Sequence, residues 1–512
     1  MGNEREGNTG RHHLLIGLIL LAVLPAADRC VQGRPSPPDG EGAGGCETPP
    51  DAVVVRAGES IQAAVDSHPE GTSFLLKAGV HRLQQISPKA GDAFYGERDA
   101  ECARWTILTG ARLLTQFERS EDFYVAPGQT QEGQATGTCE EGARRCYRPE
   151  DLYFDDVPLQ HVASLGEVGP GRWYFDYQED KVYFADDPEG HGVEISVTRS
   201  AFVPEAPSVK IHGLIVEKYA TPAQVGAIGD RLPNVAWHIE DNEVRLNHGT
   251  GIRVYTDSRV LNNVVHRNGQ LGIDAAGADV LIQDNEIFDN NFAGFLSAWE
   301  AGGAKFSFTT RLTVRDNCVH DNRGSGLWTD IDNVHSLYEG NVVFRNRDQG
   351  IFHEISHDAV IRDNWVGQNG EDTRWLYGAN ILVATSNDVE VYGNRVEVAA
   401  DYGNAIAVIW QDRSGEGGDY EATGNDVHDN EITFLGLRGL AGVGADFDPA
   451  WTLAFESNVF DHNTYHLRDL RQAHFAWDNT EGPLSWFQAR GQEALGQVDA
   501  DAVPLEWRCD MR

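Results

Sequence analysis

Gly326-Leu-Trp-Thr-Asp-Ile-Asp332 is answered about one repeat later by Gly350-Ile-Phe-His-Glu-Ile-Ser356. Each stretch opens on a glycine and then alternates. Leu327, Thr329 and Ile331 are expected on one face, with Trp328, Asp330 and Asp332 on the other. In the second stretch Ile351, His353 and Ile355 oppose Phe352, Glu354 and Ser356. A period of two is the mark of a β-strand, because successive side chains leave opposite faces. If consecutive repeats stack in register, Asp330 and Glu354 share one outward column, each four residues beyond its glycine.

Outward from this pair the repeat is visible from about residue 205. An Asn followed by strand-like residues recurs at Asn242, Asn263, Asn285, Asn317, Asn341, Asn364, Asn394, Asn430 and Asn458, with spacings of 21, 22, 32, 24, 23, 30, 36 and 28. A floor of 21 to 24 with longer intervals above it describes a solenoid coil carrying loops at particular turns. Asn suits such a turn, since its side chain bonds local backbone and tolerates left-handed geometry, and stacked Asn residues can bond one another. Glycines follow in several coils, at Gly251, Gly272, Gly294, Gly326 and Gly350. Nothing sustains the 3.6-residue period that a helical solenoid requires.

The 512 residues exceed one ordinary core, and 55 Gly against two Met describe a turn-rich, strand-rich chain. The expected fold is all-β: a right-handed parallel β-helix solenoid with an N-terminal capping helix and an inserted small β subdomain. Residues 1–29 read as a signal peptide, with Arg11, His12 and His13 before an apolar run from Leu14 to Ala27. Residues 30–50 read as a flexible linker, 51–120 as the cap and first coils, and 121–200 as the aromatic-rich insert. Residues 201–480 form the solenoid and 481–512 a C-terminal tail or cap. Ser60 before Ile61, Ala64 and Val65 signals the capped helix. Of the seven cysteines, Cys139 and Cys146 bracket a short polar loop and are expected to pair. Cys318 stands at an apolar position and is expected to be a buried thiol. No cysteine spacing suggests zinc.

The balance of 41 basic to 79 acidic residues, a formal charge of −38, excludes a nucleic-acid partner. It also disfavours polyanionic glycans and points to a neutral polysaccharide or oligosaccharide. No second apolar run follows residue 27, so no stable membrane insertion is expected after signal cleavage.

Counting from Gly294, Gly326 and Gly350 gives three outward columns: Leu296, Trp328 and Phe352; Ala298, Asp330 and Glu354; Glu300, Asp332 and Ser356. Neighbouring strands lie about 4.8 Å apart, so same-column carboxyls would stand close to the roughly 5–5.5 Å used by retaining glycosidases. Like charges at that range force one pKa upward, which leaves one acid and one anion near neutral pH. Trp328 and Phe352 would offer an apolar surface to a sugar ring. Glu300 and Lys305 could bond substrate hydroxyls, and His357 could orient Glu354. His353 points inward by parity. Trp375, Tyr377, Trp410 and Gln411 fall in or near longer loops over later coils.

The Asn and Gly pattern over residues 205–470 resembles the right-handed parallel β-helix repeats of pectate lyases, polygalacturonases, alginate-modifying enzymes and several glycosidases. More narrowly, Gly-Leu-Trp-Thr-Asp330 followed by Ile-Phe-His-Glu354-Ile-Ser-His357 resembles the active-site region of the β-xylosidase family of this fold. That resemblance implies Asp330 as nucleophile and Glu354 as acid/base; Glu300, Lys305, Trp328, Asp332, Phe352 and His357 are expected from their positions beside that pair to be substrate-binding residues. The chain departs from the pattern at Asp332, His353 and Asp358.

Three functions follow as expectations. The first is a secreted retaining glycoside hydrolase, needing neither metal nor other cofactor. The second is a polysaccharide lyase or epimerase on uronate polymers, with Lys305 as base and Ca²⁺ held by the acidic cluster. The third is a noncatalytic glycan-binding β-helix protein.

Overall fold

The computed structural model describes residues 49–98, 103–120, 122–371, 375–415, 418–446, 457–499 and 504–510. The expected signal peptide, the linker up to residue 48, and Cys30, Cys46 and Cys102 lie outside the described residues. Among the described residues no helix is long and apolar enough to cross a membrane.

One coil shows how the chain winds. The strand Ser325–Asp330 reaches a corner, Val334–Glu339 runs along a second side, and Val342–Phe344 closes the third. The next coil repeats this with Ile351–Glu354, His357–Arg362 and Trp365–Gly367. Equivalent strands pair in parallel, as in Trp328 with Phe352, Tyr338 with Ile361 and Val343 with Val366. Among the described residues the first two sides of the coils build one 24-stranded sheet bent at the corner, and the third sides build a 13-stranded sheet. The winding is right-handed, as crossovers between parallel strands are. Inward-facing residues of successive rungs stack into the bore, as Leu327, Ile351, Ile381 and Ile406 do, all fully buried.

Polar ladders hold the corners of the bore. Each amide of Asn242, Asn263, Asn285, Asn317, Asn341, Asn364, Asn394 and Asn430 donates to the Oδ1 of the next Asn, at 2.9–3.1 Å. The last step goes to Asn463, not to Asn458, which accepts from Asn425 instead. Asn463 in turn donates to Glu493 at 2.7 Å, and Glu493 closes the ladder. A second ladder, from Asn247 through Asn268, Asn290, Asn322, Asn346 and Asn369 to Asn380, runs beside the glycine column. It explains the glycines. A Cβ at Gly326 would lie 2.7 Å from the Gly350 carbonyl oxygen and 2.8 Å from the Asn346 amide nitrogen.

That column corrects one alignment. The rung before Gly326 is Gly303, because Lys305 pairs with Trp328 and Phe306 with Thr329. Gly294 instead turns at φ +77, against Ala143 of the inserted segment. Leu296, Ala298 and Glu300 therefore leave the outward columns. The strict alternation also fails at the corner, where Ile331 and Asp332 adopt φ of 68 and 54 and Ile355 a φ of 37. Ser356 is thereby turned inside, fully buried, accepting from the Asn333 amide at 3.1 Å.

At the N-terminal end the helix Ile61–Ser67, capped by the Ser60 hydroxyl on the Ala63 N–H, buries Ile61 and Val65 over the first rung. Two small sheets of largely antiparallel strands interrupt the winding between Ala111 and Ser196, so the excursion begins ten residues before position 121. Trp173, Phe175, Val182 and Phe184 supply much of their own core. The excursion is tied to the solenoid by Tyr153, whose hydroxyl donates to the Leu246 carbonyl at 2.7 Å, and by the His248–Asp151 contact at 3.0 Å. At the far end the helix Leu484–Gln488 packs Leu484 and Phe487 on the last rungs.

Cys139 and Cys146 are disulfide-bonded. Cys318 is not a thiol, because it is bonded to Cys509 across 191 residues of sequence. The C-terminal segment runs back along the outside of the third side. There Glu397 accepts from the Leu505 N–H at 2.7 Å and the Trp507 indole N–H at 2.9 Å. An apolar-looking position can sit on the outer face when something covers it, and Trp365, Trp507 and Cys509 cover Cys318.

Candidate active site

On the outward face of the first side, rung-to-rung pairing sets Arg253, Asp274, Lys305, Trp328 and Phe352 in one column and Asp330 beside Glu354 in the next. Parallel neighbours stand about 4.8 Å apart. Both carboxylates are nearly buried, Asp330 at 7% and Glu354 at 9% exposure, so their partners decide their charge.

Asp330 Oδ2 lies 2.8 Å from Lys305 Nζ, which also stands 3.7 Å from Glu300 Oε2 and 4.0 Å above the Trp328 ring. Burial alone would pull the Lys305 pKa down, but the charges of Glu300 and Asp330 outweigh it and hold the ammonium above its ordinary value. Glu300 receives an amide hydrogen bond from Gln224 at 2.5 Å, and burial, then the nearby Asp274, raises its pKa. Glu354 is held at both oxygens, by the Trp328 indole N–H at 3.1 Å and by Arg413 Nη1 at 3.1 Å. Burial first and the Asp330 charge second push its pKa up to about 7, against the pull of Arg413 and Lys305. The pair thus joins a carboxylate salt-bridged to a lysine with a carboxylic acid that titrates near neutrality.

A cavity of about 570 Å³ opens beside Glu354, with Trp328, Phe352, Tyr377, Gln349 and Arg347 in its wall. Trp328 and Phe352 stack at 5.4 Å and 11°, but they are packed with Leu376 and Leu382, so they line the wall and do not form an open platform. Another part of the wall is brought in by the excursion. Its Glu140 pairs with Arg347, Cys139 bridges to Phe295, and Arg347 also donates to the Ser297 hydroxyl at 3.1 Å.

The structure therefore gathers Glu300, Lys305, Trp328, Phe352, Asp330 and Glu354. Glu300 arrives from the short helix Ser297–Glu300, not from a strand column. Asp332 and His357 sit apart at the corner, where the Tyr420 hydroxyl donates to Asp332 at 2.6 Å and His357 stacks on Tyr420 at 5.9 Å. His357 does not orient Glu354; its Nδ1 bonds Asn387 at 2.6 Å. His353 faces the bore, fully buried, with Nδ1 against the Thr329 hydroxyl at 2.7 Å. Trp410 also packs in the bore, whereas Gln411 donates to the Tyr377 hydroxyl at 2.5 Å. Arg413, Tyr420, Arg347 and Glu140 were not legible as site residues. The one signal for the first two was the long Asn394-to-Asn430 interval of 36, the mark of a coil with a large loop.

Among the described residues the only cysteine–histidine cluster is Cys318, His320 and Cys509, and its two sulfurs are spent in the disulfide. In the acidic cluster the Lys305 ammonium occupies the place a cation would take.

A family model for the right handed beta helix region matches residues 231–396. The solved complex of XylC with xylose is similar at TM-score 0.63 and 16% identity, over 80% of each chain. The A-module of the Azotobacter vinelandii mannuronan C-5 epimerase AlgE6 gives 0.49 at 14% identity, over 87% of this chain and 95% of that one. A DFA-IIIase from Arthrobacter chlorophenolicus A6 in complex with GF2 gives 0.37 at 12% identity, over 77% and 83%. No curated protein matches the chain. In its winding and its repeats the chain is a right-handed parallel β-helix protein, similar in fold to the solved XylC structure.

Proposed function

We propose that the chain is a carbohydrate-active enzyme, a retaining glycoside hydrolase acting on a neutral glycan, with Asp330 as nucleophile and Glu354 as acid/base. The observation that carries this reading is the register of Asp330 beside Glu354 on adjacent rungs. A strand spacing of about 4.8 Å suits the roughly 5–5.5 Å of a double displacement and leaves no room for the water an inverting pair must hold.

The roles follow from the surroundings. Lys305 holds Asp330 Oδ2 at 2.8 Å, and an oxygen of this carboxylate attacks the anomeric carbon. As that bond forms, the glycosidic bond breaks and Glu354 gives its proton to the departing oxygen. The leaving sugar exits as an alcohol, and a glycosyl ester remains on Asp330. Glu354, now ionised, takes a proton from water, which attacks the same carbon and restores Asp330. The Trp328 N–H stabilises the anionic form of Glu354 in the second step. Lys305 and Arg347 are ion-paired within the protein, to Asp330 and Glu140, which favours an uncharged substrate.

The lyase alternative needs Lys305 as a neutral base, but its pKa is held up by the carboxylates around it, so the free amine is scarce at neutral pH. Secretion is proposed with the enzyme, on the apolar run from Leu14 to Ala27 and on two disulfides that suit an oxidising compartment.

Aryl β-xylosides are the first substrates to try, since the XylC structure holds xylose. The expected result is release of the phenol, a first-formed sugar of retained anomeric configuration by proton NMR, and a loss of about 10³-fold or more for Asp330→Asn. An inverted first product, or undiminished turnover by Asp330→Asn, would falsify the mechanism.

A further inference from the structure

A second cavity of about 460 Å³ opens over the later coils, lined by Trp375, Tyr402, Leu437, Gln472, Asp401 and Glu481 among others. The turn Trp375–Gly378 lies between it and the cavity beside Glu354. Leu376 is the anchor of that turn, fully buried on Leu382 and Ala407, while Tyr377 lines the first cavity and Trp375 the second. Room for this arrangement comes from the outward column, which shrinks along the rungs from Phe352 through Leu382 and Ala407 to Gly442.

Trp375 is fixed in place by its backbone and by its packing. Its backbone has φ of 50, the left-handed conformation that recurs at the turns of this solenoid. The Asn404 amide donates to its carbonyl at 2.5 Å. Its indole lies on Gly444, where a Cβ would come within 2.5 Å of the ring. Yet the side chain remains 37% exposed, in the wall of the cavity. Around it stand acceptors. Among the described residues no hydrogen bond or ion pair engages the carboxylates of Glu371, Asp401 or Glu481, and Gln472 spends only its NH₂ group, on the Leu437 carbonyl at 2.8 Å. An exposed indole and the Tyr402 phenol amid free oxygens suit a ligand with apolar C–H faces and many hydroxyl donors. Three carboxylates against one cation, Arg438, disfavour a polyanion.

We propose that this cavity is a second glycan-binding site, taking a neutral oligosaccharide with Trp375 as its platform. The proposal rests on the reading of the carboxylate pair as acting on a neutral glycan. Its test is binding, so the two can fail separately. Full-length protein carrying Asp330→Asn, which leaves oligosaccharide intact, is titrated calorimetrically with xylohexaose and with cellohexaose, and again with Trp375→Ala or Trp375→Phe added. One hexasaccharide should bind, Trp375→Ala should weaken it roughly tenfold, and Trp375→Phe should recover most of the loss. Tyr402→Ala, which removes a phenol that donates to the Gln368 carbonyl at 3.5 Å, should weaken binding too and decides the matter if the Trp375 variants do not fold. No hexasaccharide binding, or equal affinity in parent and variants, overturns the proposal. Turnover of aryl xylosides by the wild-type chain judges the hydrolase reading independently.

Discussion

Glu354 carries the residue-scale chemistry because two unfavourable surroundings act on one carboxylate. Burial removes the water that would solvate its charge, and Asp330 repels that charge from the adjacent rung; Arg413 returns part of the loss. The outcome is a pKa of about 7 against an ordinary 4.5, so the folded state holds a proton that the unfolded chain releases. The stability this gives is complete below about pH 4.5 and is lost as pH rises through about 7. Glu354→Gln keeps the shape and the neutral state at every pH. It is expected to melt close to the parent at pH 5 and above it at pH 8, while removing activity. An identical melting difference at the two pH values would contradict the elevated pKa. Asp330 and Glu354 were readable because a glycine and a two-residue period count off their positions. Arg413 lies 59 residues beyond Glu354, on a segment without that period, and no count leads to it.

At the scale of elements, ladders decide the coil. Each buried Asn spends its amide N–H groups on the next Asn and on backbone, so the turns of the bore are saturated with bonds that a slip of one residue would break. The glycine column is the complement of the second ladder, leaving room for Asn side chains and for the carbonyl of the next rung. Gly326→Ala places a methyl 2.8 Å from both the Asn346 amide nitrogen and Val343 Cγ1, with the Gly350 oxygen nearer still. It should cost about 2 kcal/mol or more, seen as a lower midpoint in guanidinium unfolding. An unchanged midpoint would show that the column yields freely. The Asn spacing exposed the first ladder, but Gly294 imitated a member of the glycine column. A loop glycine and a rung glycine are the same letter, and only pairing of Lys305 with Trp328 tells them apart.

For the whole molecule, two excursions return to the winding. The insert brings Glu140 to Arg347, a separation of 207 residues, and so helps wall the cavity. The C-terminal segment runs behind the coils of Asp330 and Glu354, with Trp507 stacked on Phe344 at 5.7 Å and Cys509 bonded to Cys318. Closing a 191-residue loop should contribute up to about 5 kcal/mol through the unfolded chain. Cys509→Ser, like mild reduction of the parent, is therefore expected to lower the melting temperature by several degrees; equal melting of variant and parent would show the bond idle. The sequence alone determined the winding, the bore, the capping helix and the two neighbouring carboxylates, since each is written in intervals shorter than one or two coils. Tertiary structure alone decided which loop walls the cavity, which cation holds each carboxylate, and where Cys318 finds its partner. Those contacts join segments far apart in the chain, where no periodicity relates one partner to the other and only the folded surface brings them within reach.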